Sequence, residues 1–446
     1  MIAGAWNIRH IDLSGERPEV SASPRPLFAV FWWRAVPLGV RTYLPEQLPL
    51  DRHELASLTA ELVSAQLAAR APQFGGPARA TYDGRPFIRV PVDVVADSGN
   101  LLDQLDALAA TTPVAANELS VIVCTRDRPE SLERCLARLA QQQSPPGQII
   151  VVDNSTGRSA DAVAARFADV DYVHEPRPGL SIARNAGIRA SRRALIAFTD
   201  DDVEPGASWT AEIVRAFANA NVDAVTGLVL PARLETPAQC LFQFQMGGFG
   251  AACLPMIFDA RFFAETCPYA AQVWRIGAGA NMAFRRAVFD RVGLFDERLG
   301  AGASGCSEDS ELWYRILAGG GACLFEPRAC VTHHHREQWS ELRRQVRAYM
   351  KGHVSALFVQ AARFGHSANI RRIFLQLPRY FARAAFRAVQ DGGGIPRLQI
   401  LWEEIVGWAS GLQYAFRPRW REQSNAAPGI APSITPGAAS TGESRP

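Results

Sequence analysis

Four short apolar runs recur in the middle of this chain at the spacing of strands separated by helices, and few folds accommodate them. "LSVIVC" (119–124) is continuously apolar rather than alternating, as in a strand buried on both faces. A helical pattern follows from Pro129 to Gln143, and then a second run, "QIIVVD" (148–153). A helix near 159–168, the strand "DYVH" (171–174), a helix from Leu180 to Arg193 and the strand "ALIAFT" (194–199) continue the alternation. Strands joined by crossover helices predict an α/β fold with a parallel sheet. Such sheets bind ligands at the carboxyl ends of their strands. The informative residues are therefore Thr125, Arg126, Asp127 and Arg128, then Asp153, Asn154 and Ser155, then Asp200, Asp201 and Asp202. No glycine-rich turn follows the first strand, which argues against a dinucleotide site or a P-loop.

The flanks differ in character. Residues 1–25 are polar and read as a flexible N-terminus. Residues 26–118 read as an accessory α+β unit with its linker: two strand-like runs about a turn at Pro37-Leu38-Gly39, and a helix capped by Asp51 that runs to about Arg70. The α/β unit is expected over 119–335, a basic amphipathic helical region over 336–421, and a disordered Pro/Gly/Ser/Ala tail over 422–446. The net charge of +3 gives no reason to expect nucleic acid, but from Arg336 to Arg421 there are 15 basic residues against 5 acidic. Lys351 is the only lysine, an arginine bias that high-GC bacterial genomes produce. The eight cysteines are scattered with no C-x-x-C pair, the pattern of reduced thiols in a cytoplasmic protein. Met1–Leu13 lacks the pattern of an export signal, and no run of 18 apolar residues predicts a membrane span.

Three successive aspartates at a strand end repel one another and raise one another's pKa. A hard divalent cation, Mn²⁺ or Mg²⁺, resolves that conflict through carboxylates and substrate phosphates. A solvated acidic turn before Ser208-Trp209 is the plain alternative. Five segments taken in order then resemble family 2 glycosyltransferases, which have the GT-A fold: "LSVIVCTRDRPESLERCL", "QIIVVDNST", "GLSIARNAGIRASRRALIAFTDDDVEP", "GAGANMAFRRAVFDRVGLFDERLG" and "SEDSELWYRIL".

The resemblance implies a metal-dependent, inverting transfer of sugar from a nucleotide-sugar donor to a hydroxyl of a glycan or lipid-linked acceptor. It places Thr125, Arg126 and Arg128 around the nucleotide, and Asp153 on the base. Arg184 and Asn185 stand near the nucleotide and support the Asp cluster. Asp200 and Asp201 lie on the donor side, with Asp202 as main metal ligand beside Asp200. Asp309, next to Glu308, takes the role of catalytic base; both fall in a first helical turn, where a carboxylate is stabilised as its anion. In some relatives a histidine after the strand "ACVT" completes the metal site. Alternation puts His333 and His335 on one face, and His333 is favoured. A structural histidine is the alternative there, and turn caps or surface roles are the alternatives at Asp153 and Arg184.

Two other functions stay open from sequence: a catalytically silent nucleotide-sugar or glycan-binding scaffold, and a nucleotidyltransferase. In the basic region, "RRIFLQLPRYFARAAFRAV" (371–389) sets Ile373, Leu377, Phe381 and Ala384 at helical spacing among arginines. "LWEEIVGWASGLQYAFRPRWR" (401–421) adds Trp402, Trp408, Tyr414 and Trp420. That combination points to an anionic membrane surface on the inner face of the plasma membrane, with packing against the catalytic domain as the alternative. Pro378 is expected to bend or break the first helix.

Overall fold

The computed structural model describes residues 4–15, 18–70, 98–110, 114–249, 253–390 and 394–417. The tail at 422–446, with Trp420, lies outside them. The N-terminal unit is a three-stranded sheet of β1 (Asn7–Asp12), β2 (Leu27–Trp33) and β3 (Val36–Tyr43), covered by α1 (Arg52–Arg70) and α2 (Ser98–Ala109). Asp51 and Glu54 exchange hydrogen bonds with each other's backbone N–H at 2.8 and 2.9 Å, a capping box that starts α1.

Two expectations fail in this unit. Residues 1–25 are not wholly flexible, because β1 pairs in parallel with β2, and Ile11, Leu13 and Val20 are buried. β1 is a polar edge strand, so its own residues carry little apolar signal. Nor is the turn at Pro37-Leu38-Gly39. The chain reverses at Arg34-Ala35, with Arg34 at φ 52°, and Pro37 sits in β3 beside a register shift at Phe31/Trp32. A proline is tolerated at such an irregularity because no ladder N–H is needed there.

The central sheet has nine strands. β4 (Leu119–Thr125), β5 (Gln148–Asp153), β6 (Val170–His174) and β7 (Leu195–Asp200) form its parallel half, in the order β7-β4-β5-β6. Their connections are α3 (Pro129–Ala140), the short α4 (Asp161–Ala164) and α5 (Leu180–Ala190). After β8 (Val203–Pro205) and α6 (Trp209–Ala216) come β9 (Ala224–Pro231), α7 (Pro237–Phe244), β10 (Met256–Phe258) and α8 (Ala260–Thr266). β11 (Asn281–Arg285), α9 (Arg286–Val292), α10 (Glu308–Ala318) and β12 (Cys323–His333) complete the unit. β11 runs antiparallel between β7 and β9, and β12 is parallel to β9 and antiparallel to β8 and β10. Ile122, Ile150, Ile196 and Phe198 point into one core layer and Val121, Val123, Val151 and Ala197 into the other, which is why these strands read as continuous apolar runs. The N-terminal sheet docks on the first layer through Trp6, Phe28 and Val30, with Trp6 and Phe244 ring centroids 4.4 Å apart.

Beyond β12 the chain is helical: α11 (Trp339–Phe364), α12 (Ser367–Arg371), a π-helical turn (Arg372–Gln376), α13 (Leu377–Gln390) and α14 (Gly394–Ala415). Pro378 does not end the helical run, but it sits directly after the π-helical turn, an irregularity of the kind that lets a helix pass a proline. The apolar face read as lipid-facing is turned inward. Ile373, Leu377 and Phe381 are buried against Val354, Leu357 and Leu401, and the Trp408 indole donates to the Ile373 carbonyl at 3.0 Å. Among the described residues no helix is long and apolar enough to cross a membrane, and all eight cysteines are free thiols.

Candidate active site

The sheet, α10 and α11 surround one cleft of about 3460 Å³, and the N-terminal unit contributes Leu38 to Arg41 to its wall. Asp200 ends β7, so Asp200, Asp201 and Asp202 stand at the carboxyl edge of the parallel half. Asp201 accepts from the Thr125 hydroxyl at 2.7 Å and lies 3.2 Å from Arg128. Asp202 faces Arg128 at 3.1 Å, Arg336 at 3.3 Å and His333 Nε2 at 3.5 Å. Asp200 faces the Arg184 guanidinium at 3.3 Å. Burial, then the neighbouring Asp202 charge, pushes Asp201 up to about 6. Burial also raises Asp200, and Arg184 only partly offsets it. Burial pushes Asp202 upward too, but His333, Arg336 and Arg128 outweigh it and hold that carboxyl below its ordinary value. Crowding therefore falls on Asp200 and Asp201, while Asp202 stays ionised.

Hydrogen-bond accounting fixes the state of His333. Burial lowers both His333 and His335, the latter to about 3, so both rings are neutral at pH 7. His335 Nε2 lies 3.1 Å from the Gln243 carbonyl oxygen and must donate to it. His335 Nδ1 is then an acceptor, and the His333 Nδ1–H donates to it at 2.9 Å. That leaves the His333 Nε2 lone pair facing a carboxylate oxygen of Asp202, two acceptors with no proton between them.

Among the described residues no three His, Cys, Asp or Glu side chains converge into a ready metal cage. The donor set nevertheless fits a divalent cation. Mg²⁺-type sites commonly take one or two carboxylates and leave the remaining positions to waters and substrate phosphates, and the facing lone pairs of His333 and Asp202 suit a shared cation. In that arrangement Asp202, Asp200 and His333 would hold it.

Across the cleft, Ser307 in the left-handed region (φ 71°) turns the chain into α10 and places Glu308 and Asp309 in its first turn. Glu308 is buried against Arg184 at 2.6 Å; burial raises its carboxyl, and Arg184 pulls it back. The buried Arg184 thus links Asp200 on β7 to Glu308 on α10, and donates to the Gly279 carbonyl at 3.2 Å. Asp309 is half-buried on the cleft wall, and one of its oxygens accepts from the Ser310 N–H at 2.6 Å.

The structure gathers Thr125, Arg126, Arg128, Arg184, Asp200, Asp201, Asp202, Glu308, Asp309 and His333 around this cleft. Two expected residues are elsewhere. Asp153 is fully buried and accepts from the Ser155 and Ala160 N–H groups and the Tyr172 hydroxyl, so it braces the loop after β5 instead of meeting a ligand. Asn185 is buried and exchanges hydrogen bonds with the Phe295 backbone at 2.9 and 3.0 Å, tying α5 to the chain after α9. Arg336 and Gln243 were missed, and His335 was marked only as sharing a face with His333. The contribution of α11 to the cleft, through residues such as Tyr349 and His353, had no sequence signal.

The chain is similar to known glycosyltransferases. Residues 120–293 match the family model for glycosyl transferase family 2. A pre-mycofactocin glycosyltransferase of Mycobacterium tuberculosis is 28% identical over 272 residues, 57% of this chain and 51% of that protein. The succinoglycan biosynthesis protein ExoM of Rhizobium meliloti is 29% identical, covering 48% of this chain and 65% of its own. The validoxylamine A glucosyltransferase of Streptomyces hygroscopicus subsp. limoneus is 27% identical over 69% of each chain. The chain spans about half the length of the first of these relatives. A solved mannosyltransferase from Pyrobaculum calidifontis, in complex with GDP-Man and Mn²⁺, aligns at a TM-score of 0.43 and 18% identity, over 82% of this chain and 95% of that one. Residues 120–293, which build the parallel half of the central sheet and run through β11 and α9, are thus similar to the glycosyl transferase family 2 domain.

Proposed function

We propose that this chain transfers a sugar from a nucleotide-sugar donor to a hydroxyl of a glycan or lipid-linked acceptor, with inversion at the anomeric carbon. The observation that carries the reading is the convergence on one cleft of the Asp200–Asp202 cluster at a strand end and Asp309 at a helix start. Thr125 and Arg128 hold Asp201 and Asp202 in place, and the nucleotide lies along them. A divalent cation held by Asp202, Asp200 and His333 would neutralise charge on the leaving diphosphate. Asp309, in the first turn of α10 on the cleft wall, takes the proton of the attacking hydroxyl. Arg184 keeps Glu308 and Asp200 at fixed positions on either side.

The test is turnover of UDP-, GDP- and dTDP-sugars with and without EDTA, with product stereochemistry read by NMR. Asp309→Asn keeps the shape and removes the proton acceptor, so the rate should fall roughly 10²–10⁴-fold while donor affinity holds. Turnover within a few fold of the parent rules out Asp309 as the base; full activity in chelator rules out the metal.

We infer that the membrane reading rests on Trp402, of the side chains first named for it, together with Phe386. Phe386 and Trp402 are 63% and 59% exposed, and Arg383 and Arg387 flank Phe386 on the outer face of α13. Exposed aromatics beside arginines suit an anionic lipid surface. Co-sedimentation with anionic liposomes should fall when Phe386 and Trp402 are both replaced by Glu; equal binding by parent and variant rejects it.

A further inference from the structure

One cation on the far wall of the cleft has no acid beside it. Arg372 opens the π-helical turn and is half-buried. Its Nε–H donates to His353 Nε2 at 3.0 Å, Nη1 reaches the Gln376 oxygen at 3.5 Å, and the guanidinium lies 4.5 Å from the centre of the Trp274 ring. All three partners are neutral: burial, then the Arg372 charge, pushes His353 down to about 3. Four other arginines of the cleft have a carboxylate beside them: Arg41 with Glu61, Arg128 with Asp201, Arg184 with Glu308, and Arg261 with Glu265. Among the described residues no carboxylate pairs with Arg372, and burial lowers its pKa to about 10.

A partly desolvated guanidinium without an anion is costly, and its planar fork matches a carboxylate or phosphate. A guanidinium has five N–H donors, and the two contacts leave the rest for the cleft that Arg372, Trp274 and His353 all line. The acid on this wall, Glu404, accepts from the Tyr380 hydroxyl through both oxygens, and burial raises it to about 7, which softens its repulsion of a bound anion.

We propose that Arg372, stacked on Trp274, binds an oxyanion carried by the acceptor substrate. The word acceptor rests on the transferase reading above; the anion site rests on the geometry alone. A phosphate or an acidic sugar carries the required chemistry. Phe374 and Leu375, 45% and 48% exposed on the same turn, are placed to meet a hydrocarbon if the phosphate belongs to a lipid.

Binding of farnesyl phosphate, glucose 1-phosphate and glucuronate to the full chain is measured by calorimetry in EDTA, so that no divalent ion draws phosphate towards Asp202. At least one should bind. Arg372→Gln should weaken it roughly ten- to hundredfold, the range for a lost charge-assisted contact. Asp202→Asn should leave it unchanged. Arg372→Lys keeps the charge and loses the fork, so it should fall in between, and it decides the matter if the glutamine variant does not fold. The probe that binds identifies the source as lipid phosphate, sugar phosphate or sugar acid. The site is rejected if none binds, if the Arg372 variants bind like the parent, or if Asp202→Asn costs as much as Arg372→Gln. Sugar transfer absent with Arg372-dependent binding intact would sink the transferase reading and leave the site standing.

Discussion

At the scale of single residues the site is governed by which acceptor meets which donor. Gln243 touches no carboxylate of the cluster, yet its amide decides the tautomer of His335 and through it the free lone pair of His333. Gln243→Leu removes that constraint. Outer-shell losses of this kind typically cost about 10–100-fold in metal affinity, and Mn²⁺ titration followed by electron paramagnetic resonance should show it. Gln243→Glu keeps an acceptor and should retain affinity close to that of the parent; equal affinity in the leucine variant would show that the relay plays no part. Such residues were not legible beforehand, because Gln243 lies on α7, far from His335 in sequence, with no local pattern joining them. Asp153 shows the converse. Its position after β5 was read correctly, but position does not give direction, and its carboxylate turns back to the loop it braces.

At the scale of elements, two glycine and acid positions can be tested. A methyl on Gly279, just before β11, would stand 2.9 Å from an Asp309 oxygen and 3.2 Å from an Arg184 nitrogen. Both are side-chain ends that can give way, so Gly279→Ala should melt near the parent temperature. If Asp309 is the base, as proposed, displacing it by a fraction of an ångström should still slow transfer, by roughly 10²-fold; parental kinetics would show that the carboxylate has room to spare. Glu404 on α14 titrates near 4.5 when unfolded and about 7 in the fold, because burial opposes its charge. The fold therefore binds this proton more tightly than the unfolded chain does. The stability linked to it is full below about pH 4.5 and is lost as the pH rises through about 7. Glu404→Gln, a mimic of the neutral form, should lose less melting temperature than the parent between about pH 5 and about pH 8. The strands β4, β5 and β7 were legible because burial on both faces writes itself into continuous apolar runs. Of the mixed half only the "ACVT" end of β12 was legible, because β11 and β12 find their places through pairings distant in sequence.

At the scale of the whole molecule the C-terminal helices belong to the body of the protein. Leu342 and Val346 of α11 cover Ala238, Leu241 and Phe242, and Glu403 of α14 is buried between Arg343 and Arg347. A chain ending near Gln338 should therefore lose cooperative melting and aggregate in size-exclusion chromatography; a sharp parental transition would show that these helices are dispensable. The feature with the widest reach is the pairing of Asp202, early in the domain, with His333 and Arg336 at its end. On the ribosome the three aspartates emerge and fold at the edge of β7 long before those partners exist. Until β12 docks, only the Arg128 and Arg184 side chains balance them. Closing the last strand thus completes the sheet and brings His333 and Arg336 to the acidic edge in the same step, so the pairing of β12 and the neutralising of the aspartates are one folding event.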